Sequence, residues 1–357
     1  MKIAVVFGTR PEIIKMAPVI KELGKRKADF FVVHTNQHYT EYMDAVFFRE
    51  LKLKKAKYNL GIGSMSPGKQ TGKMISAIEN VLIRERPGIV LVEGDTNTVL
   101  AGAIAAKKTG IMVGHVEAGL RSYDREMPEE LNRIMVDHIS DLLFAPTTQS
   151  RENLLAEGIP RERIFVTGNT IVDAVRQNSG ISKNGILARH SLEKKGYILV
   201  TLHRQENADN RQRLSRILKG IGMAGKGTGM KVVFPLHPRT AKMAKKFGLK
   251  MPPNAEIIEP PGYLDFLALE RNASLILTDS GGVQEEACIL GTPCVTLRDS
   301  TERPETLEVK ANVLAGADSG KILRLSRKML AKKGRWKNPF GNMATEKIVE
   351  RLLRMHS

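Results

Sequence analysis

Six short runs of β-branched and other apolar residues recur along the first half of the chain, at Lys2–Phe7, Phe30–His34, Ile89–Glu93, Met112–His115, Leu142–Ala145 and Ile164–Thr167. Between them apolar positions recur every three to four residues, as in Ile13–Leu23, the spacing of a helix face. Strands that are apolar nearly throughout, alternating with helices, predict a parallel sheet covered on both faces. After Gly168 the pattern weakens, and the polar, Gly-containing stretch Asn178–Gly185 suits a linker. Strand signals resume at Tyr197–Thr201, Val232–Pro235, Glu256–Ile258, Leu275–Thr278, Cys294–Leu297 and Asn312–Ala315. The second half thus repeats the architecture of the first without its sequence. The expected fold class is α/β, with two doubly wound Rossmann-like domains facing across a cleft. In such sheets ligands bind beyond the carboxyl ends of the strands, so the informative residues are those that follow strands.

The length of 357 residues agrees with two domains, since a single core serves about 150 residues. Hydrophobic residues at 42% and charged residues at 26% exclude a disordered or membrane-embedded chain. Met1–Gly8 is apolar for only five residues, too short for a signal-peptide core, and no apolar run is long enough to cross a bilayer, so a cytoplasmic location is expected. Cys288 and Cys294 have no Cys or His at metal-ligand spacing beside them and read as reduced core residues; no metal is expected. The net charge of +18 is unusual, and half of the excess comes from Lys321–Ser357, with eleven basic and two acidic residues. Interleaved aromatics are confined there to Trp336 and Phe340, so the expected partner is a nucleotide diphosphate drawn by a positive field rather than a nucleic acid.

The loops after the strands carry the candidate chemistry. Gly8-Thr9-Arg10-Pro11-Glu12 follows the first strand and opens a helix, delivering Arg10 and, one turn on, Lys15 to an anion site. Neither a GxGxxG nor a GxxxxGK[ST] loop is present, so no dinucleotide cofactor or ATP is expected. Thr278-Asp279-Ser280-Gly281-Gly282 is again a strand, a small-residue turn and a helix start, where Ser280 can cap and Gly281 and Gly282 let phosphate oxygens approach backbone N–H groups; Glu285 and Glu286 lie a turn further on, placed to accept ribose hydroxyls. Arg303 lies in the charge-dense Arg298–Glu305 after another strand. Acids follow strands at Glu93-Gly94-Asp95-Thr96 and His115-Val116-Glu117, and Glu129 and Arg133 open a helix. In the second half His203 and His237 stand at strand ends. Carboxylates, histidines and arginines gathered at strand ends suit the removal and return of protons near a phosphate.

On Gly8-Thr9-Arg10-Pro11-Glu12, Gly94-Asp95-Thr96, His115–Arg121, Pro128-Glu129-Glu130, Thr167-Gly168-Asn169-Thr170, Ser280-Gly281-Gly282 and Thr301–Glu305, the chain resembles the non-hydrolysing UDP-N-acetylglucosamine 2-epimerases, over all but about the last 40 residues. The resemblance implies a glycosyltransferase-B-like fold, with an N-terminal domain of residues 1–172 joined by a C-terminal helix (342–357) and a UDP-binding domain of residues 186–341. It implies that Arg10, Lys15, His203, Ser280, Gly281, Gly282, Glu286 and Arg303 hold UDP and that the main chain of Phe266 meets the uracil. Arg133 and His237 are further substrate-binding candidates. Asp95, Glu117, Glu129 and His203 match the essential catalytic residues, with the division of labour among the acids left open. The implied reaction expels UDP from C1 as the C2 proton leaves, passes through 2-acetamidoglucal and needs no NAD; a homodimer is implied as well. Alternatives are a 2-epimerase of another UDP-amino sugar, such as a 2,3-diacetamido uronic acid, a hydrolysing epimerase, or a glycosyltransferase of the same fold. Gln37-His38 matches a pair through which many bacterial members bind an activating second substrate, but Tyr39–Tyr42 and Gly61–Gly68 depart from the bacterial pattern, which leaves activation open.

Overall fold

The protein is described from a computed structural model that covers residues 1–37, 47–180, 185–332 and 336–355; His38 and Tyr39–Tyr42, and residues 181–184 of the linker, lie outside the described residues. The chain divides into two compact units, Met1–Gln177 with Phe340–Ser357, and Asn178–Pro339.

Among the described residues the first unit holds seven strands: β1 (Ile3–Phe7), β2 (Phe30–His34), β3 (Tyr58–Asn59), β4 (Ile89–Glu93), β5 (Met112–Val116), β6 (Leu142–Ala145) and β7 (Ile164–Val166). They pair in the order β3-β2-β1-β4-β5-β6-β7, all parallel. The second holds β8 (Tyr197–Thr201), β9 (Lys231–Pro235), β10 (Ala255–Ile258), β11 (Leu275–Thr278), β12 (Cys294–Thr296) and β13 (Asn312–Leu314), also parallel, in the order β10-β9-β8-β11-β12-β13. The apolar runs thus form two doubly wound sheets, and β1, β4 and β8 are buried along their whole length, as strands covered on both faces must be. The edge strand β3 escapes the hydrophobic pattern because it is two residues long and only half-buried at Tyr58.

Helices return each chain segment to the start of the next strand, and several begin at strand ends on a side chain that accepts from the first turn: Thr96 from Val99 N, Thr147 from Ser150 N, Asn210 from Gln212 N, and Ser280 from Val283 N. One layer of the first core gathers Val6, Val33, Ile78, Val92, Val99 and Val113; in the second, Val200, Leu214, Ile221, Phe234, Leu277 and Ile322 do the same. Each fully buried side chain of this size contributes roughly 1.5–3 kcal/mol. The last helix, Ala344–Arg354, buries Ile348, Val349 and Leu352 and packs on the helix Arg10–Lys25. Its entry is fixed by Asn169 N donating to the Phe340 carbonyl (2.9 Å) and Thr345 N donating to Asp173 Oδ2 (2.8 Å). No described helix is long and apolar enough to cross a membrane.

Candidate active site

In each sheet the strand order reverses at one place, between β1 and β4 in the first unit and between β8 and β11 in the second, and the connections there leave toward opposite faces. Gly8–Glu12 follows β1 and Glu93–Thr96 follows β4; Leu202–Arg204 follows β8 and Asp279–Gly282 follows β11. The loops that carry most of the sequence candidates are therefore the switch-point loops, a property of strand order rather than of any local motif.

Gly8 admits no side chain: a Cβ there would lie 2.0 Å from Thr35 Oγ1 and 2.2 Å from Thr98 Oγ1, two hydroxyls that bond each other at 2.8 Å. A carboxylate holds the turn that enters the following helix, while Thr9 makes no side-chain cap to that helix. Glu12 accepts from Gly8 N (2.7 Å) and Thr9 Oγ1 (2.7 Å), a variant of the capping box in which the acid three residues on reaches back to the helix entry. Burial pushes its carboxyl up to about 7, against hydrogen bonds from Thr9, Thr96 and Gly8. Arg10 sits half-buried at the first helical position, its guanidinium 4.4 Å from the centre of the Phe47 ring. Lys15 is buried, bonds the Glu117 carboxylate and lies 3.4 Å from Glu93 Oε1. Gln37 closes the floor, its Oε1 accepting from Thr98 N (3.0 Å) and Thr98 Oγ1 (2.8 Å).

Glu117 lies in the turn after β5 with φ +69, a left-handed conformation unfavourable for a side chain of its size. A buried network holds the turn in place. Asp137, on the helix Pro128–Ile139, accepts from Gly119 N (3.1 Å) and pairs with Arg121 Nη1 (2.7 Å) and His115 Nδ1 (2.7 Å). Burial alone pushes the Asp137 carboxyl up, but His115 and Arg121 outweigh it and the net direction is down. His115 Nε2 meets the Gly94 carbonyl at 2.8 Å, so this ring ties the loop after β4 to the loop after β5. Asn169 adds a bond from Nδ2 to Glu117 Oε2 (3.2 Å). Asp95, a quarter exposed, is bonded by Arg133, which also bonds Glu130. Glu130 in turn accepts from Ser122 N (2.9 Å) and Tyr123 N (2.8 Å), while its neighbour Glu129 stands half-buried in the same first turn.

In the second unit, Asp279 joins the two switch-point loops: it accepts from His203 N (3.1 Å), Arg204 N (2.9 Å) and Asn207 Nδ2 (3.1 Å). The His203 imidazole packs 5.4 Å from that of His237, whose Nδ1 accepts from Arg239 N (3.2 Å) and so caps the next helix. Desolvation lowers the pKa of His203, opposed by Asp279. Ser280 caps the helix Gly281–Leu290. A Cβ on Gly281 would lie 2.4 Å from Glu302 Oε1, whereas at Gly282 it would meet nothing nearer than Ser280 Oγ at 4.0 Å, which leaves that helix end approachable. Glu302 is itself bonded by Arg298 Nη1 (2.7 Å); desolvation pushes its carboxyl up, but Arg303, Arg298 and Arg204 hold it well below the usual carboxylate range. Arg303 Nε lies 2.7 Å from Glu285 Oε1, and Glu285 and Glu286 are both buried, so neither is a solvated helix acid. Phe266 stands in the helix Tyr263–Asn272 with its N–H donated to the Gly262 carbonyl (2.9 Å).

Glu12, Glu93, Asn169 and Asp279 stand in the motifs quoted from the sequence but receive no role of their own there, and Asp137 is not singled out; these are the residues that hold the others. A usable signal existed for two of them: Thr9 and Glu12 have capping-box spacing, and Asp279 follows a strand directly. Asp137 and Asn169 lie 20 and 52 residues beyond Glu117, and only the fold reveals their contacts.

The sequence profile of the UDP-N-acetylglucosamine 2-epimerase family matches residues 21–353. A UDP-N-acetylglucosamine 2-epimerase of Methanococcus maripaludis is 56% identical over 356 residues, covering 98% of this chain and 97% of its own. The UDP-2,3-diacetamido-2,3-dideoxy-D-glucuronate 2-epimerase of Pseudomonas aeruginosa is 41% identical over 337 residues, covering 93% of each chain. The crystal structure of the Methanocaldococcus jannaschii UDP-GlcNAc 2-epimerase in complex with UDP-GlcNAc and UDP is similar with a TM-score of 0.93 at 54% identity, covering 99% of this chain and all of the other.

Proposed function

The chain belongs to the UDP-N-acetylglucosamine 2-epimerase family, and from that premise we propose how its residues invert C2 of UDP-N-acetylglucosamine. Its α/β fold is glycosyltransferase-B-like and its activity is that of an isomerase. The identity of 56% to an epimerase of the N-acetylglucosamine nucleotide, against 41% to one of a diacetamido uronic acid, favours the simpler sugar.

The C2 proton of a neutral sugar is barely acidic, so stepwise removal needs a carbanion that nothing stabilises. Elimination avoids it. A carboxylate takes the C2 proton, the C–H electrons form the C1–C2 double bond, and the C1–O bond breaks with its pair leaving on UDP. Re-addition of UDP, with a proton delivered to the other face of C2, gives UDP-N-acetylmannosamine. Negative charge grows on the leaving phosphate, and fixed positive groups there lower the barrier most. Arg10, Arg303 and the helix end at Ser280, Gly281 and Gly282 supply them, and His203 adds a hydrogen-bond donor. His237 braces His203, Glu286 takes the ribose and the Phe266 backbone lies by the uracil. Asp95, oriented by Arg133, acts with Glu117 and Glu129 on the two protons.

The observation that carries this reading is the pair of acids at the ends of neighbouring strands, each bonded to a different cation: Glu117 to Lys15 and Asp95 to Arg133, which also bonds Glu130. A cation beside a carboxylate favours its charged form, the form that can accept a proton. In D₂O, NMR should detect deuterium entering C2 of both nucleotide sugars. Asp95→Asn or Glu117→Gln should lower turnover by roughly 10²–10⁴-fold with UDP affinity kept. Product without deuterium, or free sugar released in its place, would refute reversible elimination. The working form is inferred to be a cytoplasmic homodimer, for which light scattering should give twice the chain mass.

A further inference from the structure

Lys15 lies one turn into the first helix, where a cation would suit a diphosphate, yet its surroundings are acidic. Its side chain is 8% exposed, that of Glu93 is 2% exposed and that of Glu117 is 4% exposed. The ammonium bonds Glu117 and lies 3.4 Å from Glu93 Oε1. Glu117 Oε2 accepts a second bond from Asn169 Nδ2 (3.2 Å). Two donors on one carboxylate oxygen, one of them an ammonium, favour the charged form. Glu93 contrasts with it: its buried Oε1 has the ammonium at 3.4 Å but no hydrogen bond among the described residues. An ionised carboxylate in that condition would be costly to bury.

We propose that Lys15 is a positioning residue that acts through Glu117 rather than on the diphosphate, and that with Glu93 beneath it Lys15 keeps Glu117 an ionised proton acceptor. The proposal rests on the reading of Glu117 as a proton-handling acid. The groups that face this cluster are Lys15 and Glu12 from the first helix, Glu93 and Asp95 from β4 and its loop, and Asn169. Desolvation raises the Glu93 carboxyl well above its ordinary range against the pull of Lys15, and burial raises Glu12 to about 7. Burial thus disfavours charge on both of these acids, which leaves the cation chiefly to Glu117.

Lys15→Met tests this by separating affinity from proton chemistry. Calorimetric UDP affinity should stay within about threefold, because a lost phosphate contact would cost roughly tenfold or more. Turnover should fall by about 10²-fold or more, and the acid limb of the kcat/KM profile should move up by about one pH unit, since a carboxylate without its cation protonates more readily. Lys15→Met buries an unpaired carboxylate, so the double variant Lys15→Met/Glu117→Gln, which removes both charges, guards against misfolding. If Lys15 acts through Glu117, the double variant turns over no more slowly than Glu117→Gln alone and binds UDP as tightly. A tenfold or greater loss of UDP affinity in either Lys15 variant, or an unmoved acid limb, overturns the proposal. Full turnover in Glu117→Gln would instead remove the reading of Glu117 on which it stands.

Discussion

Near pH 6 the carboxyl of Glu12 holds a proton that the unfolded chain has released, because burial pushes it up to about 7 from its ordinary value of 4.5. The folded state therefore binds more protons between those two values, and stability falls as pH rises through the window, then levels off above about pH 7. The loss amounts to about 3 kcal/mol, since each tenfold difference in proton affinity between the folded and unfolded chain is worth about 1.4 kcal/mol. Glu12→Gln keeps an acceptor for Gly8 N or Thr9 Oγ1 and removes the titration. Its unfolding free energy, followed by urea denaturation from pH 5 to 7.5, should gain on the wild type by about 2 kcal/mol. Parallel curves for the two proteins would show that Glu12 is already ionised in the fold. The same burial makes the residue useful, since a protonated Glu12 can hold the turn into the first helix without repelling Asp95 and Glu93 nearby.

Elements place these side chains through strand order. The loops after β8 and β11 are far apart in sequence, yet Asp279 carries bonds to three donors of the β8 side. Asn207, one of the three, also donates to the Leu297 carbonyl after β12 (2.9 Å), so the acid organises three strand ends. Asp279→Ala leaves buried N–H groups unpaired and should cost about 3 kcal/mol in denaturant unfolding. It should also weaken UDP binding at least tenfold, because His203 and Arg204 lose the anchor of their backbone N–H groups. Retention of both stability and affinity would mean that the neighbouring helix ends suffice. A similar division holds in the first unit, where Asp137 and His115 secure the strained turn of Glu117 from a helix and a strand that do no chemistry themselves.

At the scale of the molecule, the chain crosses from the first unit to the second and returns. Residues 340–355 bury Phe340, Ile348, Val349 and Leu352 in the first unit, and Arg351 lies 4.4 Å over the Phe165 ring. Four such side chains are worth roughly 6–12 kcal/mol, comparable to the whole stability of a domain. Deletion of 340–357 should lower or abolish the calorimetric transition of the first unit while the second keeps its own melting temperature; a first unit that melts unchanged would show the returning helix to be dispensable. Nearly every strand was legible in the sequence, within about one residue at each end, because a strand buried on both faces is a run of apolar residues whatever surrounds it. Only β3 escaped, being too short to carry a pattern. The loops that bear chemistry were legible too, since they begin where those runs stop, and their motifs sufficed to indicate the family. Which strands flank each switch point, which acid meets which cation, and that Lys15 faces Glu117 and Glu93 were decided by the tertiary structure alone. Those pairings join residues tens of positions apart, and a linear sequence shows what each side chain is without showing what stands across from it.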